Sequence, residues 1–553
     1  MDRECVVLEY DKVVRLLTER ASSTLGTAEA AALLPATDAG EIRRRLGETS
    51  EAASCIMRRG TPGVGEFGDI SAALTYADKG GCLTMAQLLS VAVQMAAARR
   101  AASFLKGDSG EGHGSGVVRG GYARGDDGFD GSGDSVLAEI ASALFVQSAL
   151  ENRITSSILS ESEMAEGASA ELRRIRRQIG VQSENIRTQL NKFITSPAYR
   201  DVLQEQIVTR RDGRWVVPVK SDSAKQLPGV VHDRSKGGAT VFIEPQSVVN
   251  ANNALRELAI EEAREIERIL AELSALVAEV ADELSLNQDM LARLDFIFAK
   301  GLLACDMKAG EPVISEGRVF EVANARHPLI DAETVVPVSL SLGKDYSTLI
   351  ITGPNTGGKT VTLKTVGLFV LMARAGLHLP ASHAVVPAVK NVFADIGDEQ
   401  SIEQSLSTFS SHMKNIVDIV GKADKDSIVF LDELGAGTDP TEGAALAISI
   451  LETLGRCGCL VMATTHYTEL KKYALSADGV ENASMEFDVE TLSPTFRLRV
   501  GLPGRSNAFE ISRKLGLPEY VVARAAESMD SGSIAFETVI EQADADMRAA
   551  EAA

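Results

Sequence analysis

Residues 347–377 read STLIITGPNTGGKTVTLKTVGLFVLMARAGL, and the fold class follows from this stretch. Thr348–Thr352 is a short apolar run rich in β-branched residues, the composition of a buried strand. A turn made of Gly353, Pro354, Asn355, Thr356, Gly357 and Gly358 comes next, then Lys359, Thr360 and an apolar-periodic helix. This is G-x-x-x-x-G-K-[ST] in the strand–loop–helix setting that its mechanics require. Glycines let successive backbone N–H groups turn towards a phosphate, and the helix N-terminus adds its positive dipole end. Lys359 is expected to reach the β- and γ-phosphates, and the Thr360 hydroxyl to join the shell of a Mg2+ ion. The stretch predicts a nucleoside triphosphate site.

Further strand ends in the same half of the chain supply chemistry for such a site. Ser427–Glu433, SIVFLDE, is an apolar strand ending in two carboxylates. Asp432 is expected in the Mg2+ shell, and Glu433 is placed to orient or deprotonate an attacking water. Leu460–Thr464 is a third strand, running into Thr465 and His466. A histidine there either senses the γ-phosphate through a hydrogen bond or is an ordinary polar loop residue. Between these signatures, SLSTFSSH (Ser405–His412) opens an apolar-periodic run and reads as a helix N-cap. Such a terminus is an anion site or simply a capped helix.

Outward from this half the pattern changes. Residues 200–247 have strand composition: Glu205–Thr209 and Arg214–Lys220 flank a turn at Asp212-Gly213, and Gly237–Ile243 reads as another strand. Between Arg200 and Lys236 lie eight basic and five acidic residues, against a net charge of −21 for the whole chain. A protein so acidic repels nucleic acid at long range. Any nucleic-acid contact must therefore use a local basic surface, and Arg210, Arg211, Arg214, Lys220, Arg234 and Lys236 form the best candidate. Helical patterning flanks this module. The basic run in Glu171–Phe193 reads as a solvated helix face, and Asn250–Leu294 as one long packed run.

The first hundred residues are helical in pattern and hold no catalytic constellation. Residues 107–134 contain eleven glycines mixed with Asp and Ser, a composition expected to form a disordered insertion. At 553 residues and about 100–200 per domain, three or four domains are expected. No apolar run approaches the roughly 18–20 residues of a membrane span, so no membrane partner is expected. Six scattered cysteines without a C-x-x-C pair point to a reducing compartment, the cytoplasm or an organellar stroma.

Several stretches together resemble one family. GPNTGGKT, STFSSHM, VFLDELGAGTDPTEGAALA and ATTHY look like the ATPase domain of the MutS family, a branch of the ABC ATPases. Gly501–Ala525 resembles that family's dimerising helix–turn–helix. LEYDKV, ARHPLI and VVPVKSDSAKQLPGVVHDRSKGGATVFIEP resemble its second type, the paralogue not dedicated to mismatch reading. The resemblance implies ATP and Mg2+ as ligands and a homodimer with composite sites. Gly353–Thr360, Asp432, Glu433 and His466 of one subunit would face Ser407, Thr408 and Phe409 of the other. Asn355 would add a phosphate contact, and Gly435–Asp439 would couple the paired sites.

The implied architecture is an α/β P-loop (ABC-type) ATPase domain joined to an all-α core and lever region carrying a small β-rich clamp. Its expected divisions are a helical core (1–106), the insertion (107–134), core and lever helices (135–199) and the clamp (200–247). Lever helices (248–305), the ATPase domain (306–500), the helix–turn–helix (501–530) and the start of a C-terminal helix (531–553) follow. The family's mismatch-reading domain, with its Phe-x-Glu wedge, has no counterpart here: Phe67 is followed by Gly68 and Asp69. Second-type proteins continue into a coiled coil and an Smr nuclease domain. This sequence stops at Ala553, where such a coil would begin, so endonuclease activity is not expected of these residues. The resemblance implies an ATPase clamp on branched DNA that opposes recombination. The alternatives are an ATPase that grips ribosomal RNA and splits stalled ribosomes, or an ATP-switched dimer with little turnover.

Overall fold

The computed structural model describes residues 2–107, 135–354, 357–397, 408–488, 490–504 and 508–527, with residues 539 and 542. Asn355, Thr356 and Ser407 lie outside these, as do the 107–134 insertion beyond Gly107 and nearly all of 531–553. The chain divides into two compact units. One comprises Met1–Pro62, Asp126–Ile140 and Ala292–Ala553, the other Gly63–Gly125 and Ala141–Leu291. Among the described residues no helix is long and apolar enough to cross a membrane.

The second unit is built from helices and a small antiparallel sheet. Helix Met85–Lys106 starts in a capping box, in which the Thr84 hydroxyl accepts the Gln87 N–H and the Gln87 amide oxygen accepts that of Thr84. This satisfies two backbone donors that a helix start otherwise leaves open. Leu88, Val91 and Met95 of this helix share an apolar cluster with Ile269, Leu273 and Val277 of helix Val249–Ala278. The single run expected over 250–294 is two helices, Val249–Ala278 and Ala281–Asp306. No glycine or proline marks the break, so apolar spacing carries straight through it.

Strands β1 (Ile158–Ser160) and β2 (Glu163–Met164) form a minimal hairpin. The main sheet has β3 (Thr209–Arg211), β4 (Arg214–Lys220), β5 (Gly229–Arg234) and β6 (Thr240–Pro245) in the order β3-β4-β6-β5. Asp212 (φ 49°) and Gly213 (φ 77°) are both left-handed, the two-residue hairpin geometry. That turn sets Arg211 opposite Arg214 and Arg210 opposite Trp215. The strand therefore lies at Thr209–Arg211, not at the expected Glu205–Thr209. β5 was not expected at all: it is an edge strand whose Val230 and Val231 stay exposed, so it lacks the alternation that marks a half-buried strand.

A fully buried carboxylate, Glu244, ties the sheet to the helix that follows it. Arg214 donates to both its oxygens at 2.9 Å, Asn252 Nδ2 donates to Oε1 at 2.7 Å, and His232 Nε2 lies 2.5 Å from Oε2. Removing one partner of a buried pair costs more than the pair contributes, because the remaining charge stays desolvated. Arg214→Met is therefore expected to destabilise this unit by about 3 kcal/mol. Arg214→Met with Glu244→Leu should cost far less, and urea unfolding of the two variants measures the difference.

In the first unit, β7 (Val313–Ser315), β8 (Phe320–Ala325), β9 (Val338–Leu342) and β11 (His383–Pro387) form a four-stranded sheet, order β7-β11-β8-β9. The remaining strands are β10 (Thr348–Thr352), β12 (Asn391–Asp395), β13 (Ser427–Leu431), β14 (Leu460–Thr464), β15 (Val480–Asp488) and β16 (Ser493–Val500). They make a six-stranded sheet in the order β12-β13-β14-β10-β15-β16, parallel except for β16. β10, β13 and β14 are buried along their whole length, the pattern of parallel strands covered on both faces. Ile350 pairs with Ala463, and Ala463 with Leu431. The three carboxyl ends thus lie side by side, the place where open α/β sheets bind ligands.

Candidate active site

Residues at or just after these strand ends meet in a single cluster. β10 runs into Gly353, and the helix Lys359–Arg374 starts after Gly358. Gly358 has φ 96°, and a Cβ there would come within 3.1 Å of the Phe496 ring. Only glycine suits this backbone and this approach. No side chain caps the helix, which leaves its first N–H groups for a ligand.

Asp432, directly after β13, accepts a hydrogen bond from Thr360 Oγ1 on Oδ2 (2.7 Å) and one from Thr464 Oγ1 on Oδ1 (2.5 Å). Its own N–H donates to Asp395 O at the end of β12 (2.8 Å). The Thr464 hydroxyl also accepts the Glu433 N–H at 2.8 Å. Glu433 is left-handed, φ 48°, an unusual state for a residue with a side chain. A hydroxyl and a carboxylate meeting beside open helix N–H groups are hard oxygen donors, which suits Mg2+. Thr360 and Asp432 would hold that ion.

Lys359 is almost fully buried and donates from Nζ to Gly353 O at 2.7 Å. Burial pushes its pKa down. Glu433 and Asp432 pull it back up, and Lys471 pushes it down again. His466 is exposed just beyond β14, its ring 4.8 Å from that of Tyr467, whose hydroxyl donates to Gly435 O at 3.0 Å. Thr408 opens helix Thr408–Lys422 and Phe409 is half-buried. Asp395 braces that helix: it accepts from Asn415 Nδ2 and faces His412 Nδ1, both at 2.8 Å. Asp395 and Thr464 were not singled out from the sequence. Each ends a strand, so strand-end position was the signal that marked them.

The basic candidates of the other unit are placed differently from one another. Arg210 stacks over Trp215 at 4.7 Å and Arg211 over Phe242 at 4.2 Å. Lys220, Arg234 and Lys236 are exposed. Arg214 is turned into the Glu244 cluster and also donates to Asn253 at 2.7 Å.

Comparisons with known proteins point to one family. Residues 349–531 match the family model for MutS domain V. The chain is 47% identical over 551 residues to a protein of Alkaliphilus oremlandii named endonuclease MutS2, covering all of this chain and 67% of that protein. The chain belongs to the MutS2 family. Proteins of the same name from Clostridioides difficile and Ruminiclostridium cellulolyticum are 49% and 48% identical, over 97% of this chain. It spans about 65% of the length of each. As a MutS-family chain it carries an ATPase domain, and the buried lysine and paired hydroxyl–carboxylate donors belong to that domain.

The place of Lys359 in the loop has a measurable consequence. Lys359→Met should weaken ATP binding roughly 100-fold, about 2.7 kcal/mol. Titration of a fluorescent ATP analogue measures the loss, and a thermal melt of each protein checks that the variant folds.

Proposed function

We propose that the chain is an ATP-hydrolysing dimeric clamp that closes on branched or otherwise structured DNA and opposes recombination. The observation that carries the ATP-hydrolysing reading is the convergence of Lys359 and Thr360, Asp432 and Glu433, and Thr464 at the ends of β10, β13 and β14. Lys359 and the N–H groups opening its helix bind the β- and γ-phosphates. Thr360 and Asp432 would hold Mg2+, which would supply charge neutralisation at the phosphate oxygens. Glu433 orients a water for in-line attack and takes its proton. Its left-handed backbone breaks the strand line directly after Asp432, so two neighbouring carboxylates serve different tasks. His466 hydrogen-bonds the γ-phosphate. Ser407, Thr408 and Phe409 of a second subunit complete each site, and loss of the γ-phosphate reopens the dimer.

The clamp surface is the β3–β6 sheet. Arg210 and Arg211, stiffened by stacking on aromatic rings, stand with Lys220, Arg234 and Lys236 as its phosphate contacts. Arg214 serves the fold of that sheet through Glu244.

Glu433→Gln should keep ATP affinity within about threefold and lower turnover at least ~100-fold. It should also accumulate a closed dimer, seen by light scattering on a sizing column in ATP and Mg2+. Turnover unchanged in this variant rejects the assigned role. Arg210→Ala with Lys236→Ala should weaken four-way-junction binding, reduce the slope of log affinity against log salt by about 2, and leave basal turnover intact. ATP turnover stimulated by ribosomes and not by the junction assigns the clamp to ribosomal RNA. Turnover indifferent to both favours the ATP-switched dimer.

A further inference from the structure

The 16-residue helix that opens after the phosphate loop ends at Arg374, roughly 22 Å from Lys359 at about 1.5 Å per residue. Arg374 is 7% exposed, and its Nε donates to Ala36 O at 2.7 Å. Among the described residues its two terminal nitrogens make no hydrogen bond and no ion pair. Burial pushes its pKa down, and Cys5 and Asp2 only partly pull it back. The carbonyl end of a helix favours a cation but leaves those nitrogens open. A buried charge without a partner is costly, which is why arginines this enclosed are ordinarily paired.

Arg374 lines a cavity of about 310 Å³ whose residues all belong to the first unit. Leu34, Leu371, Val392 and Phe393 give it apolar walls. Lys390 also reaches it, but its ammonium is paired with Asp426 at 3.0 Å. Asp2 and Glu4 line it too, and among the described residues neither carboxylate has a hydrogen-bond or ion-pair partner. The volume is at the small end of ligand sites, with room for a molecule of amino-acid size. The charges narrow the choice. A simple anion would satisfy Arg374 and be repelled by two carboxylates, and a simple cation would do the reverse.

We propose that this cavity binds a small zwitterion, an α-amino acid with an apolar side chain. Its carboxylate meets the Arg374 guanidinium, whose planar fork matches two carboxylate oxygens. Its ammonium group faces Asp2 and Glu4, and its side chain packs against Leu371 and Phe393. The site is separate from the triphosphate reading and holds or falls without it.

The test is a ligand-observed NMR titration of the whole chain with L-leucine, leucinamide, N-acetyl-leucine and glycine. Leucine should bind with a Kd below about 1 mM. Leucinamide, which lacks the carboxylate, and glycine, which lacks the apolar group, should each bind at least ~10-fold more weakly. N-acetyl-leucine, which lacks the ammonium group, should lose at least ~3-fold. Arg374→Lys keeps the charge but not the fork and should weaken leucine at least ~10-fold. Asp2→Asn with Glu4→Gln alters two side chains without partners, so it keeps the test open if the arginine variant fails to fold. It should weaken leucine at least ~3-fold and leave N-acetyl-leucine no weaker than before. No leucine binding to the wild type at about 10 mM overturns the site. So does equal affinity for leucine and leucinamide, or leucine binding that neither variant weakens.

Discussion

Asp432 accepts two hydroxyl hydrogen bonds, one from Thr360 on the phosphate-loop helix and one from Thr464 at the end of β14. A carboxylate so held cannot reorient alone. Its position is fixed by three neighbouring strands, and those strands are fixed by main-chain pairing with the register Ile350–Ala463–Leu431. The site is therefore built to the tolerance of a parallel sheet and not to that of its loops. Preorganisation of this kind is what hydrolysis at a phosphate demands, because there is little for the protein to do beyond positioning and charge stabilisation.

The loop, the two carboxylates and the strand ends were legible because each combines a period with a chemically special residue. A strand-length apolar run ending in Gly, Asp or Thr records both a buried strand and the place where it stops. Asp395 and Thr464 carry the same strand-end signal, but each acts through a neighbour, Asn415 for the first and Asp432 for the second, that spacing alone does not reveal. Lys471 was harder still. It stands in the helix Thr468–Ser476, TELKKYALS, where nothing in the pattern sets it apart from Lys472, yet in the fold it is buried and donates to Gly504 O.

In the β-rich module the turn at Asp212-Gly213 was legible and its strand was not placed correctly. A two-residue turn dictates pairing from its own edges outward, whereas composition spreads strand preference over neighbours that never pair. Charge alone treated Arg214 as equal to Arg210 and Lys236. Burial separates them, because Glu244 is fully enclosed and claims the nearest guanidinium. The same limit hid β5, whose exposed valines look like loop residues until β6 pairs with them.

The buried Glu244 has a consequence for how this module can change. It gathers Arg214 from β4, His232 from β5 and Asn252 from the following helix around one carboxylate inside the second unit. The shape of the sheet is thus determined from underneath. Asp233, Arg234 and Lys236–Ala239, at the β5–β6 tip, are exposed and outside the apolar core. Apart from Gly238, whose left-handed φ of 69° suits glycine, substitutions at such positions generally cost little stability. The tip can be rewritten, by mutation or by design, while the scaffold beneath it stays the same.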